Sequence, residues 1–343
     1  MTTLGAVMAT TGDNGDLLPG GICVLGLGLI GGSLVRALDS RTTTFGWSPS
    51  EGTRTAAAAD GVDVLGDLDA ALERADATGA LTVLAGPVTS FPSVLRRIDA
   101  VAPTLALTDV ASVKAPVETQ VAELAPQARF VGSHPMAGTA QSGWAAGSAD
   151  LFTDAAWVTT LTEDTDPADW AAVAAMALAT GARVVPAEAL AHDEAVARVS
   201  HLPHLLALVL AQVGAAGGTL ALSLAASSFR DGTRVAGTRP ELIRAMCETN
   251  RDSLLDAVDD ALGILGVARG SLASTGSLAK LAEAGHAGRM RYDAGPGTLV
   301  PVTLQGADLI EQLLSIGAAG GHVTGVGAGA GGPVVRAHFP TDG

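Results

Sequence analysis

The chain is 343 residues long, 48% hydrophobic and only 16% charged, with a formal net charge of −15. Such a length suggests about two domains, and the apolar share supplies a sizeable core. The acidic balance argues against a nucleic-acid partner, which needs a basic face, and the only two cysteines, Cys23 and Cys247, read as reduced thiols of a cytosolic protein, not as a disulfide framework.

Residues 1–19 are rich in Thr, Gly and Asp, lack a secretory pattern, and read as a disordered lead. The apolar run 22–25 reads as a buried strand, and 29–38 as a helix that starts on glycines. Between and into them, Gly26, Gly28 and Gly31 form G-x-G-x-x-G. In that strand–turn–helix setting the glycines serve a tight turn, a close backbone approach to pyrophosphate, and helix–strand packing. Free N–H groups and the positive helix end favour phosphate. Gly26, Leu27, Gly28, Leu29, Ile30 and Gly31 are thus the candidate loop for NAD or NADP, the alternative being a structural turn in a glycine-rich chain. Strand-like runs follow at 43–47, 81–85, 105–110, 129–133 and 156–161, with helical patterns between, as at 53–60 and 113–124. Helix 170–180 and strand 182–185 close the series. The alternation implies βαβ units and a mostly parallel α/β sheet, a Rossmann-type dinucleotide-binding domain over 20–187.

From about Glu188 strand signals vanish, and helical patterns imply an all-α domain over 188–290. Its helices are apolar all round, which calls for cover by a second subunit in a homodimer. Residues 205–227 are apolar and long enough to span a bilayer. However, Gln212, Gly214, Gly217 and Gly218 interrupt them and charges follow closely, so buried or dimer-core helices are favoured and no membrane is expected. After Arg291, Gly295, Pro296 and Gly297 mark a joint. Strand-like 299–304, helical 307–317, and strand-like 322–326 and 334–339 then read as a small β-α-β-β appendage over 291–343, with a flexible tail as the alternative.

Four segments carry candidate chemistry. TDVASVK (108–114) ends a strand, and ligands bind open α/β sheets at the carboxyl ends of strands, so Asp109, Ser112 and Lys114 fall near a nicotinamide. Turn capping or a solvated lysine would explain them equally. In VGSHPMAGTAQSGW (131–144) a strand ends at His134 and Pro135, and a neutral imidazole there could take a proton from a substrate hydroxyl. HDEAVARVSHLPH (192–204) holds three histidines, but Pro203 disturbs their spacing and no carboxylate completes a ligand set, so no metal is expected. SSFRDGTRVAGTRPELIRAM (227–246) clusters Arg230, Arg234, Arg239 and Arg244, which can grip carboxylates bidentately or simply form surface ion pairs.

Together, GLGLIGGSL, TDVASVK, SHPMAGT, HDEAVARVSHLPH and FRDGTRVAGT, in this order over roughly 22–290, resemble the prephenate/arogenate dehydrogenases of tyrosine biosynthesis. The resemblance implies a dinucleotide-binding domain, an all-α dimerisation domain, and oxidative decarboxylation of prephenate or arogenate with hydride transfer to NAD or NADP. It implies His134 as the catalytic histidine and Ser112 as its support. It gives Arg234 the ring carboxylate, His201 a place in the substrate pocket, and Asp231 a place near the entrance. Two departures bear on specificity. Ser48 stands where many NAD-preferring relatives have an acidic residue, which leaves NADP open. Ala140-Gln141 stands where several prephenate-specific relatives have Glu, which leaves arogenate open. Two other readings are weighed. A β-hydroxyacid dehydrogenase would need a lysine that SHLPHLLALVLAQ lacks, and a dinucleotide-sensing regulator would not need His134 and Arg234 together.

Overall fold

The computed structural model describes residues 17–139 and 141–341; the first 16 residues of the expected lead and Ala140 lie outside them. The lead's last three residues are tied down: Leu17 and Leu18 pack on the core, and the Thr42 hydroxyl donates to the Pro19 carbonyl at 2.6 Å.

The first sheet is parallel throughout. Its strands are β1 (Gly21–Leu25), β2 (Thr43–Trp47), β3 (Asp63–Val64), β4 (Leu81–Leu84), β5 (Ala106–Asp109) and β6 (Arg129–Phe130), in the order β3-β2-β1-β4-β5-β6. Helices α1 (Leu29–Leu38), α2 (Glu51–Ala59), α3 (Leu68–Thr78), α4 (Phe91–Val101) and α5 (Ala115–Leu124) connect them. Every residue of β1 and β4 is buried, as expected when helices cover both faces of a parallel sheet. Strand order reverses between β1 and β4, which opens the crevice where such sheets bind ligands.

The expected strand over 129–133 is a point of correction. It breaks into two strands that belong to different sheets. After β6 the chain crosses over, and β7 (Ser133–Pro135) pairs antiparallel with β8 (Ala156–Thr160), which pairs parallel with β9 (Arg183–Ala187). Gly132 permits the crossing, since a Cβ there would lie 2.5 Å from Thr160 Oγ1. Helix α6 (Pro167–Ala179) links β8 to β9, and its buried Trp170 donates an indole N–H to Thr159 Oγ1 at 2.9 Å.

Then come the helices: α7 (Ala189–Val196), a π turn over Ala197–His201, α8 (Leu202–Ala216), α9 (Gly218–Ser223), α10 (Ser227–Gly232), α11 (Pro240–Thr249), α12 (Arg251–Ser274) and α13 (Ala279–Ala294). The wide turn sits just ahead of Pro203, which has no N–H to continue the regular ladder. The run Ala189–Ala216 is long and apolar enough to cross a membrane by length and composition, and little of it is buried within one chain. Val213, Leu220, Leu224 and, on α12, Val267 stand more than half exposed.

The appendage folds as β10 (Leu299–Leu304), α14 (Leu309–Ala318), β11 (His322–Gly329) and β12 (Gly332–Pro340). It docks by extending the second sheet, whose order is β10-β12-β11-β9-β8-β7, with Val323 paired to Val184 across the junction. Leu309, Leu313 and Ile316 of α14 are buried in a core continuous with Trp144, Trp157 and Trp170. The closest approach is at Gly317, where a Cβ would lie 1.7 Å from the Pro186 carbonyl oxygen. The obstacle is backbone and cannot swing away. Gly317→Ala should therefore destabilise the protein by about 1–3 kcal/mol, the usual cost of overpacking. Urea unfolding measures this, and a variant as stable as the parent would mean that α14 does not seat on β9.

Candidate active site

At the carboxyl ends of β1, β2 and β4 lies a groove of about 460 Å³. Gly26, Gly28, Ser48, Thr53 and Gly86 are among the residues that line it. Gly26 has φ +119°, and a Cβ on it would lie 2.6 Å from the Ala85 carbonyl carbon. At Gly31 a Cβ would lie 1.9 Å from the Gly26 carbonyl oxygen, so strand and helix meet closely. At Gly28 a Cβ would meet nothing within 4 Å, which makes this the open side of the loop. Gly28 caps α1 without a side chain, leaving the first-turn N–H groups of the helix free for an anion. Leu27 is fully buried beneath the groove, and Leu29 and Ile30 stand in the first turn of α1. Ser48 follows β2 directly and lines the groove, and its carbonyl accepts from Arg54 Nη1 at 2.7 Å. Among the described residues, none of those that line the groove is a carboxylate. These residues fit a dinucleotide.

Asp109, expected beside the cofactor, is elsewhere. It is fully buried and ion-paired with the equally buried Lys114. Its carboxylate also accepts from Ala111 N and Ser133 N, each at 2.9 Å, and Lys114 Nζ donates to the Ser133 carbonyl at 2.7 Å. Burial pushes the Asp109 carboxyl up and the Lys114 ammonium down, and each one's charge opposes the other's shift. Both carboxylate oxygens of Asp109 are engaged inside the protein. Lys114 is likewise no solvated lysine.

The pair pins Ser133, and the next residue is His134, half-buried in β7. His134 Nδ1 lies 2.9 Å from His192 Nε2, and His192 Nδ1 lies 2.8 Å from Asp193 Oδ1. Asp193 also accepts from Lys114 N and Ala115 N at 2.8 and 2.9 Å, and so caps α5 from a distant part of the chain. Asn250 Nδ2 donates to the Asp193 carbonyl at 2.8 Å and to His201 Nδ1 at 3.1 Å. A carbonyl only accepts, so the amide orientation is fixed. His201 therefore keeps its proton on Nε2 and presents a donor. Burial, with the charges of His192, Lys114 and His201, holds His134 well below the usual imidazole range. Burial also takes His201 down to about 4, although Asp193 opposes it. Both rings are neutral at physiological pH.

The three histidines of 192–204 thus diverge: His192 meets His134, His201 meets Asn250, and His204 Nδ1 meets the Ser200 carbonyl at 2.9 Å. Ser112 sits half-buried on the β5–α5 loop. Arg234 begins a 3-10 turn after α10, is exposed, and has no ion-pair partner among the described residues. Asp231 is exposed beside Arg230, 3.4 Å away. Neither joins the histidine cluster within one chain. Sequence reasoning missed His192 and Asp193 as parts of the site, although their adjacency in HDEAVARVSH was a usable signal. Asn250 carried none. It also missed Trp144, whose ring stacks under Arg36 at 3.6 Å and whose N–H donates to Asp60 at 2.8 Å, tying the loop after His134 to α1.

Residues 32–186 match the prephenate dehydrogenase nucleotide-binding domain, and residues 188–268 match the prephenate dehydrogenase dimerization domain. The chain belongs to the prephenate dehydrogenase family. The cyclohexadienyl dehydrogenase of Zymomonas mobilis is 34% identical over 268 residues, covering 74% of this chain and 88% of that protein. A crystal structure from Corynebacterium glutamicum, assigned to the same family, is 45% identical with TM-score 0.82, covering 89% of this chain and 98% of that one. Synechocystis arogenate dehydrogenase is 32% identical with TM-score 0.69, covering 79% and 99%. The chain is accordingly an NAD(P)-linked oxidoreductase of tyrosine biosynthesis, acting by oxidative decarboxylation.

The ion pair behind β7 can be tested on its own. Lys114→Met should cost about 3–5 kcal/mol, because it leaves Asp109 buried and unpaired. Urea unfolding monitored by tryptophan fluorescence reads the loss, and a change under 1 kcal/mol would deny the pair its structural role.

Proposed function

We propose that this chain oxidises and decarboxylates prephenate or arogenate with His134 as the base, in the cytoplasm and as a homodimer. The observation that carries the reading is the setting of His134: its Nδ1 is engaged by His192 at 2.9 Å, and burial holds the ring well below the usual imidazole range. The bound nicotinamide supplies the hydride acceptor for the hydrogen at the ring's C4. His134 Nε2 takes the proton of the hydroxyl on that carbon. The bond to the ring carboxylate breaks, CO2 leaves, and the electron pair left behind makes the ring aromatic. His134 then returns its proton to the phenolic oxygen. Aromatisation drives the step, so the residues mainly align the substrate and move one proton.

Arg234 binds the ring carboxylate, since its fork is exposed and unpaired in the described chain and matches a carboxylate bidentately. His201 donates through Nε2–H without adding charge. Ser112 supports the substrate hydroxyl, and Asp231 stands near the entrance. The apolar faces of α8 and α12 are covered by a second subunit, a reading supported by the dimerization-domain match, which takes in α8 and most of α12. That cover, not a bilayer, accounts for the exposed leucines and valines, and the partners are a small molecule and a second copy, with no nucleic acid.

The test is a steady-state assay with prephenate and with arogenate. His134→Asn should lower kcat by about 10²–10⁴-fold, the range for loss of a general base, with cofactor KM little changed. Near-normal turnover would remove His134 from the chemistry.

Cofactor choice is tested at Ser48. A carboxylate there would accept the ribose hydroxyl and repel a 2′-phosphate. Ser48→Asp should move the ratio of kcat/KM for NAD over NADP toward NAD by about tenfold or more, a shift of roughly 1.4 kcal/mol. An unchanged ratio would mean that Ser48 does not meet the adenosine ribose.

A further inference from the structure

We infer that His192 and Asp193 form a positioning pair that selects the reactive tautomer of His134. The inference rests on the reading of His134 as the base. A carboxylate only accepts, so Asp193 Oδ1, 2.8 Å from His192 Nδ1, holds the proton of His192 on that nitrogen. The Nδ1–H tautomer of that ring carries a bare lone pair on Nε2. That lone pair faces His134 Nδ1 at 2.9 Å and can only be met by an N–H. His134 is thereby fixed as the Nδ1–H tautomer, with Nε2 unprotonated and able to accept. The opposite tautomer would set two lone pairs against each other across 2.9 Å.

The arrangement is anchored independently of substrate. Asp193 is held at both carboxylate oxygens by the N–H groups of Lys114 and Ala115 at the positive end of α5. Its backbone carbonyl is held by Asn250. His192 is buried and its other flank borders a largely apolar cavity, lined by Val158, Ala191, Ala195 and Val196 among others. His134 and Asp193 are the polar partners of its ring nitrogens among the described residues. When His134 takes the substrate proton at Nε2, the positive ring still donates Nδ1–H to His192, with the Asp193 carboxylate behind. The pair thus also steadies the charged form, as the third member of a nucleophile–base–acid triad does.

The experiment compares His192→Leu, which has no acceptor, with His192→Gln, whose Oε1 can stand near the position of Nε2. His134→Asn is assayed in parallel. His192→Leu should lower kcat by about 10²-fold, the scale of a misplaced catalytic group, while KM for substrate and cofactor stays within about threefold. His192→Gln should recover at least about tenfold of that loss, since it restores the acceptor. Nitrogen NMR of the ¹⁵N-histidine-labelled protein should show His134 protonated at Nδ1 in the parent and in His192→Gln. Turnover of His192→Leu within about twofold of the parent overturns the inference. So does His192→Gln as impaired as His192→Leu, or a parent His134 protonated at Nε2. If His192→Leu does not fold, the glutamine variant and the parent spectrum still decide. A dead His134→Asn beside an active His192→Leu defeats the positioning pair alone, whereas an active His134→Asn removes the base and this inference with it.

Discussion

The Asp109–Lys114 ion pair is the constraint on which the site depends. Removing two charges from water costs several kcal/mol per ion, and attraction repays this only when the remaining donors and acceptors are satisfied. Here both members are bonded further: Asp109 accepts from two backbone N–H groups and Lys114 donates to the Ser133 carbonyl. The outcome is that Ser133 is held at its N–H by one member and at its C=O by the other. That residue opens the three-residue strand β7, at the point where the chain leaves the first sheet and joins the second. A strand so short has little register of its own. A slip of one residue would turn every side chain to the opposite face, and His134 would point away from the carboxyl ends of the first sheet. The pair adds geometry at this seam more than it adds stability.

Asp193 does the matching work from the helical side. It binds the N-terminal N–H groups of α5, so the same helix end is fixed by Lys114 from within and by a carboxylate from α7. Two histidines are held in opposite states around it. His201, whose Nδ1 meets Asn250, is left with a donor, and His134, whose Nδ1 meets His192, with an acceptor. Both rings are neutral for the same reason, burial, yet hydrogen bonding gives them different chemistry. A pocket that must hold an anionic substrate and also take a proton gains from that division. The donor does not need a charge, and the acceptor does not lose its lone pair.

Most of the first sheet was legible because its strands are short apolar runs set between helices, and because Gly26, Gly28 and Gly31 punctuate the first turn. That a strand stops at His134 and Pro135 was legible from the proline itself. Asp109 was misread for a physical reason. The rule that ligands gather at strand carboxyl ends places its backbone correctly but says nothing of where its carboxylate turns, and Lys114, five residues on across a loop, has no periodic relation to it. The division into two sheets was hidden because 129–133 is one uninterrupted strand-like run. What breaks it is contact between Gly132 and Thr160, 28 residues apart. In sequence His192 reads as one of three histidines of a candidate metal set, since a ring that orients its neighbour looks there like a ring that binds a metal.

The second sheet gives the appendage a consequence. Its strands do not stand beside the catalytic fold; they complete the sheet that carries His134 at its far edge. Strand β9 is the element shared between the two. On one side it pairs with β11 at Val323 and receives α14 where Gly317 meets the Pro186 carbonyl. On the other it pairs with β8, which pairs with β7. It ends at Ala187, and α7 begins at Ala189, so His192 and Asp193 leave the sheet only one helical turn later. His134 is set from β7, joined to β9 through β8, and the His192 ring from α7, which follows β9 in the chain. A fixed β9 therefore steadies the distance between them, and β11 and α14 contribute to the site by closing its other side, with Leu314, Gly317 and Ala318 of α14 lining the cavity that His192 borders.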